Sequence, residues 1–278
     1  MKSFFYFENR WIITATLRMK TALSVGSRAS FMPTGSDLPV IKTPEGLPFI
    51  PGSSLKGVVR SHIERILRTL KDLGKSYNGE KLWACDPLDE KNRCVTAERK
   101  KVLIEQAEGD DQRFTELIWD ESCTACRLFG SQWLASRVSF QDAMLANREE
   151  LLRLTEVRDG VGIDRDLGAA KPKIKYDFET VPPGAAFAVR IIVENADEWE
   201  VGLLILALQA MSRGELPIGG KTTRGLGWGE LVELQVQRIG PDQLLNYLTG
   251  MVQPAKISQQ NLLQALFSTL QEGGERHA

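Results

Sequence analysis

AAFAVRIIVENADEWEVGLLILALQAMSRGELPIGGKTTRGLGWGELVELQV, residues 185–236, is the stretch from which the fold is read. Its first eleven residues are dense in apolar and β-branched side chains and end at Asn195, which predicts a strand. Trp199–Met211 is almost wholly apolar and long enough for a buried helix. Five glycines then crowd Gly219 to Gly229, a turn signal, and Leu231, Val232, Leu234 and Val236 mark a further strand from Trp228.

Working outward, Trp11–Leu23 (WIITATLRMKTAL) reads as an earlier strand with one buried face. The proline- and glycine-rich residues 24–54 then predict a long loop, with a short extended piece at Val40 and Ile41. A helix is expected from an N-cap at Ser53 or Ser54, because Leu55, Val58, Val59, Ile63, Ile66, Leu67 and Leu70 follow the helical period. Residues 75–136 read as an insertion, Val138–Met144 as a strand, and 158–180 as a charged, weakly patterned excursion. From Pro241 onward one or two short helices are expected. Strand, helix, strand, strand, helix, strand is the ferredoxin-like or RRM-like order, so an α+β domain is predicted over 1–240, with a helical tail over 241–278.

The chain has 278 residues, 42% hydrophobic and 26% charged, values of an ordinary globular protein with ample core. No apolar run approaches the roughly 18 residues of a membrane span, and Glu8, Asn9 and Arg10 interrupt any signal-peptide core, so a cytoplasmic location and no membrane partner are expected. The formal charge is −1, which excludes a global positive field. Locally, Lys56, Arg60, Arg65, Arg68 and Lys71 face only Glu64 between residues 52 and 71, a candidate basic face. With only His62 and His277 in the chain, imidazole-based catalysis is poorly supported.

Cys85, Cys94, Cys123 and Cys126 are separated by 8, 28 and 2 residues, and a Cys-x-x-Cys knuckle joined to two further thiolates is a zinc pattern. Buried, unliganded cysteines are the alternative. In the glycine-rich turn, Gly220, Lys221 and Arg224 suggest a cradle for a polyanion. A Walker A loop is excluded, since Glu215 stands where its first glycine would be.

Four segments together resemble the RAMP superfamily: PVIKTPEGLPFIPGSSLKGVVR (39–60), CTACRLFG (123–130) followed by SRVSFQDA (136–143), GIDRDLGAAKPKIKYDFETVPPGAAF (162–187) and IGGKTTRGLGWGEL (218–231). Within it the chain is similar to the repeated backbone subunit of type III CRISPR effector complexes, including forms of the III-D branch. The resemblance runs from about Trp11 to Val236. It implies a modified RRM-like domain with a β-hairpin thumb at 158–180 passing between blocks of a guide:target duplex; the zinc-binding insertion is read from the cysteine spacing above. The implied partners are guide CRISPR RNA, target RNA, other effector subunits and adjacent backbone copies. Ser53, Ser54, Lys56 and Arg60 would face guide phosphate, with the helix N-terminus offering its N–H groups. Gly220, Lys221 and Arg224 would contact RNA from the glycine-rich loop, and Arg165 and Lys173 from the thumb. In GSDLPV the resemblance makes Asp37 the catalytic residue of a metal-dependent target-RNA cleavage using Mg or Mn. A non-catalytic backbone subunit, a guide-processing RAMP endonuclease and a zinc-stabilised RNA-binding module are the competing readings.

Overall fold

The computed structural model describes residues 4–26, 36–74, 76–77 and 80–272. In chain order the elements are β1 (Arg10–Met19), β2 (Phe49–Ile50), α1 (Gly52–Asp72), β3 (Ser76–Tyr77), β4 (Glu80–Lys81), α2 (Ala97–Ala107), α3 (Asp111–Glu121), α4 (Thr124–Phe129), β5 (Val138–Phe140), β6 (Ala143–Leu145), β7 (Glu156–Ile163), β8 (Ala170–Thr180), β9 (Ala186–Glu194), α5 (Glu198–Ser212), β10 (Gly229–Ile239), α6 (Leu244–Leu248), β11 (Ala255–Ile257) and α7 (Gln259–Glu272). The main sheet runs β11-β10-β1-β9-β6-β2, with β5 also on β9, and its pairings are antiparallel. The order β10-β1-β9-β6, with α1 and α5 as connections, is the ferredoxin-like arrangement within an α+β fold. No helix among the described residues is long and apolar enough to cross a membrane.

β1 is the central strand because its alternate residues Trp11, Ile13, Ala15, Leu17 and Met19 all enter the main core. It stops at Met19, short of the expected Leu23, where Lys20 and Thr21 both donate to the Trp228 carbonyl and turn the chain. Where β1 pairs β10 the register shifts between Thr14 and Thr16, and Glu233 opposite adopts φ 57°. That is a β-bulge, which adds twist to the long β10.

α1 begins earlier than the serines predict. Pro51 is its N-cap and Gly52 its first residue, whose N–H donates to Asp142 at 2.7 Å. A side chain at Gly52 would place its Cβ 2.2 Å from the Phe140 carbonyl oxygen, so only glycine lets the helix start so close to β5. The same contact explains why Val138–Met144 is two short strands: the chain leaves the ladder at Gln141–Asp142 to bring the Asp142 carboxylate onto α1.

α5 is buried nearly all round, since it lies against β10, α1 and α7. A Cβ on Gly202 would come 2.4 Å from the Leu262 carbonyl, a measure of how closely α7 crosses it. The segment after Pro241 therefore exceeds the expected short helices: β11 extends the sheet, and Leu262 and Leu266 of α7 join the main core. Within residues 80–136, Ala125, Cys126, Leu128 and Phe129 of α4 join the main core, while α2 and α3 enclose a small second core of Val95, Leu103 and Ile118. They are tied to the first core by Arg137, whose guanidinium is buried against Glu200 and the Asn195 and Arg127 carbonyls and lies over Trp119.

Candidate nucleic-acid interface and metal centre

β7 and β8 form a separate two-stranded hairpin rather than a part of the main sheet. Its register pairs Glu156 with Thr180 and Asp159 with Asp177. At its tip the Asp164 carboxylate accepts from the Asp166 and Leu167 N–H groups, which closes the turn and leaves Arg165 exposed. The side chain of Lys173 lies outside the described residues.

The base of this hairpin is where the loop carrying Asp37 is held. Leu38 bridges Phe178 in parallel, with hydrogen bonds Leu38 N–H to the Asp177 carbonyl and Glu179 N–H to the Leu38 carbonyl. Glu179 is the anchor: its carboxylate accepts from the Val40 N–H (3.0 Å), Lys42 Nζ (2.6 Å) and Thr155 Oγ1 (2.7 Å). Burial alone would raise its pKa, but these donors win and hold it below the usual carboxylate value. Asp37 is exposed, and its Oδ2 accepts the Asp177 N–H at 2.9 Å. Beside it, Asp177 has a raised pKa, chiefly through its hydrogen bond with Asp159 across the hairpin. Asp159 is held low by Lys175, 3.0 Å away.

The glycine-rich loop closes the same corner. Gly219 (φ 83°) and Gly227 (φ 79°) are left-handed and pressed against backbone, since a Cβ would lie 2.4 Å from the Ser24 oxygen and 1.9 Å from the Ile218 oxygen respectively. Gly220, expected to offer its N–H to phosphate, donates it to Ser24 at 2.7 Å, so this amide is not available as a cradle donor. Leu226 packs with Ala22 and Phe178, against Leu38 and Tyr176, which fastens the loop to the hairpin. Lys221 places its ammonium 4.3 Å from the centre of the Phe178 ring, and Arg224 donates from Nη1 to the Tyr176 hydroxyl at 2.9 Å. Asp37, Lys221 and Arg224, read from separate segments, are thus brought to one exposed corner.

The basic helix is arranged differently from the expectation. Ser53 is exposed and Ser54 half-buried, but the first helical N–H is already taken by Asp142. Lys56 reaches Ser136 Oγ at 2.7 Å, and burial lowers its pKa. Arg60 turns inward to Glu64 (2.7 Å), the Gly130 carbonyl (3.1 Å) and Cys126 Sγ (3.8 Å). Burial opposes its charge, but the Glu64 carboxylate outweighs that and its pKa is raised. Arg68 donates to the Cys85 carbonyl at 2.7 Å. Lys71 lies over the Trp83 ring at 5.5 Å, so four of the five cations on this helix dock the cysteine-bearing segment. His62 is half-buried beside Arg65, its pKa lowered by burial and that neighbour; His277 lies outside the described residues.

The four cysteines meet although a loop separates Cys85 from Cys94 and the helices α2 and α3 separate Cys94 from the Cys123–Cys126 pair at the start of α4. Their sulfurs all lie within 4.8 Å of one another, and this group could hold a metal ion. Cys123 caps α4, its sulfur accepting the Cys126 N–H, so the Cys-x-x-Cys spacing forms a helix-start knuckle. The Cys85 and Cys126 sulfurs are 3.6 Å apart, far beyond a disulfide bond and close to the roughly 3.8 Å edge of a tetrahedron with 2.3 Å metal–sulfur bonds. Contact with the other sulfurs, Cys123 first, brings the Cys85 thiol down to about 7 and also lowers Cys94, while Cys123 and Cys126, which share those contacts, are raised.

Sequence reasoning did not single out Tyr176, Phe178, Asp177 or Glu179. Their signal was the alternation in KIKYDFET opposite the paired glycines Gly160 and Gly162, which reads as strand pairing once the hairpin is assumed.

A family model described as the RAMP superfamily matches residues 16–231. Among curated proteins the chain is similar to three named CRISPR system Cms endoribonuclease Csm3. It is 28% identical to that of Mycobacterium tuberculosis, over 77% of this chain and 83% of the relative. It is 29% identical to that of Streptococcus thermophilus, over 77% and 83%. It is 27% identical to that of Methanothermobacter thermautotrophicus, over 83% and 87%. The family match takes in the end of β1, α1, the cysteine segment, the hairpin and the glycine-rich loop, and the chain belongs to the RAMP superfamily.

Proposed function

We propose that this chain is a guide-RNA-binding backbone subunit of a type III CRISPR RNA-targeting complex and that it cleaves target RNA at Asp37. The observation that carries the reading is the single corner shared by Asp37, the hairpin base and the cations Lys221 and Arg224, in a RAMP protein whose relatives are named Csm3 endoribonucleases. Guide pairing would select sequence while the protein follows the RNA backbone. Lys221 and Arg224 would hold phosphate, Arg165 and Lys173 would extend the contact along the hairpin, and Ser53, exposed at the start of α1, would face the guide. The remaining partners are target RNA, adjacent copies of the chain and other effector subunits, in the cytoplasm.

A magnesium or manganese ion fits Asp37 as hard cations are commonly held, by one or two carboxylates together with substrate phosphate oxygens. Such an ion supplies charge neutralisation at the phosphate. Asp37 itself orients that charge and is kept in place by the Asp177 N–H and, through Val40, by Glu179. Lys221 and Arg224 would align the scissile backbone so that the adjacent 2′-oxygen bonds to phosphorus as its proton passes to the Asp37 carboxylate, and the P–O5′ bond breaks to leave a 2′,3′-cyclic phosphate and, once protonated by water, a 5′-hydroxyl. At the cysteine cluster, four soft thiolates at tetrahedral spacing fit zinc, with every position filled by protein and hence a structural role.

The test is a cleavage gel beside a target-binding titration on the same assembled complex. Asp37→Asn and Asp37→Ala should each lower the cleavage rate by at least about 100-fold and leave target affinity within about twofold. Full cleavage by Asp37→Ala would remove the catalytic assignment and leave a non-catalytic backbone subunit.

A further inference from the structure

Many basic side chains in this protein meet carboxylates: Arg10 with Glu194, Lys20 with Glu230, Lys42 with Glu179, Arg60 with Glu64, Arg99 with Glu121, Arg137 with Glu200. Others have uncharged partners, such as Lys56 on Ser136 and Lys100 over the Trp133 ring, and the two cations of the glycine-rich loop are of this second kind. Lys221 lies over the Phe178 ring, and Arg224 donates to the Tyr176 hydroxyl, both uncharged partners on neighbouring positions of one face of β8. The two rings are 6.1 Å apart and support one another.

We propose that Tyr176 is a positioning residue that orients Arg224 toward RNA phosphate without neutralising it, and that Gly160 is the seat that makes this possible. The proposal rests on the RNA-binding reading of the loop given above. The seat is visible in the packing: a Cβ at Gly160 would fall 2.3 Å from Cζ of the Tyr176 ring, so the ring lies flat on bare backbone of β7. Any larger residue there would lift the ring and with it the hydroxyl.

The chemistry follows from the guanidinium. It has five N–H donors, and one of them on Tyr176 leaves a pair free for bidentate contact with phosphate. A free arginine must give up rotamer freedom on binding; one already anchored gives up less. A carboxylate could anchor it as well but would cancel the field that attracts the anion. A phenol hydroxyl anchors without that cancellation. The ring also reaches back into the small cluster of Ala22, Phe178 and Leu226, so the anchor is itself fixed.

The full chain is titrated with a single-stranded RNA of arbitrary sequence at several KCl concentrations. Arg224→Ala should weaken binding and flatten the salt dependence by roughly 0.7 in log–log slope, the loss of one phosphate contact to a single strand. Tyr176→Phe keeps the ring and removes only the acceptor; it should weaken binding roughly threefold to tenfold with the slope retained, because the cation is still present. In the Arg224→Ala background Tyr176→Phe should have no further effect. Gly160→Ala should reproduce the Tyr176→Phe loss. Wild-type affinity for Tyr176→Phe while Arg224→Ala is impaired would overturn the positioning role, as would an equal loss in both backgrounds. Unchanged affinity and slope for Arg224→Ala would instead remove the RNA reading of the loop, and the positioning role with it.

Discussion

Glu179 joins three segments through one carboxylate, receiving Val40, Lys42 and Thr155 while its own backbone N–H serves Leu38. Its pKa is depressed below 4.5 in the folded chain, because protonation would forfeit the three donors. A depressed carboxylate contributes stability that is fully present above the unfolded value and is lost as pH falls through the folded one. Glu179→Gln should therefore cost about 1.5–3 kcal/mol near neutral pH, the range for hydrogen bonds to a charged group. That cost should shrink as the pH is taken below 4.5, where the native carboxylate loses its charge as well. Urea unfolding of both proteins across this range checks it; a difference that stays constant with pH would show that the charge is not the anchor. Since the same side chain fixes the loop that carries Asp37, a matching loss of cleavage at neutral pH is expected.

At the scale of elements, α1 and the cysteine-bearing segment are one structure. Glu64 is 8% exposed and lies between Arg60 and Arg68, which reach Cys126 Sγ and the Cys85 carbonyl respectively. Four thiolates around a divalent ion carry net negative charge, and a guanidinium against one sulfur offsets it, so Arg60 is an outer-sphere partner of the cluster. Arg60→Gln should lower metal affinity about tenfold to 100-fold, the usual effect of losing such a partner. It should leave the salt dependence of RNA binding unchanged. Competition between the protein, loaded with cobalt as a spectroscopic substitute, and a chelator reads the first quantity; an RNA titration reads the second. The reverse pattern, unaltered metal affinity and a flatter salt slope, would return Arg60 to the RNA face that its place in the sequence suggests.

Over the whole molecule, the sheet edge at β10 and the helix α5 depend on the segment after residue 240. Leu262 and Leu266 are 0% and 1% exposed on α7, and the α5 surface they cover is apolar on every side. Leu262→Ala should destabilise the protein by about 2–5 kcal/mol, since α7 is already in close contact at Gly202 and cannot collapse further onto the gap. Removal of residues 241–278 should expose α5 and yield an aggregating chain. A truncated protein that stays monomeric with an unchanged urea midpoint would show that α7 is an appendage.

What could be read from sequence alone was whatever is local or strongly periodic. The apolar run of α5, the helical spacing of Leu55, Val59, Ile63 and Leu67, and the alternation in β10 each announce an element because a buried face needs those side chains at that period. Six elements in the order strand, helix, strand, strand, helix, strand were enough for the ferredoxin-like layout, and the Cys-x-x-Cys knuckle was enough to raise a metal centre. From residue patterning the hairpin was legible only as an excursion, because its glycines and exposed residues such as Val161 and Ile163 lack a buried face to impose a pattern; its hairpin form came from the family resemblance. Tertiary structure alone decided which cations are free. Arg60 and Lys221 look alike in sequence, yet one faces a sulfur and a carboxylate and the other an aromatic ring. The reason is that a side chain's charge is local while its partner is set by long-range packing. Asp37 lies 140 residues from the Asp177 amide that holds it, and no window along the chain contains both.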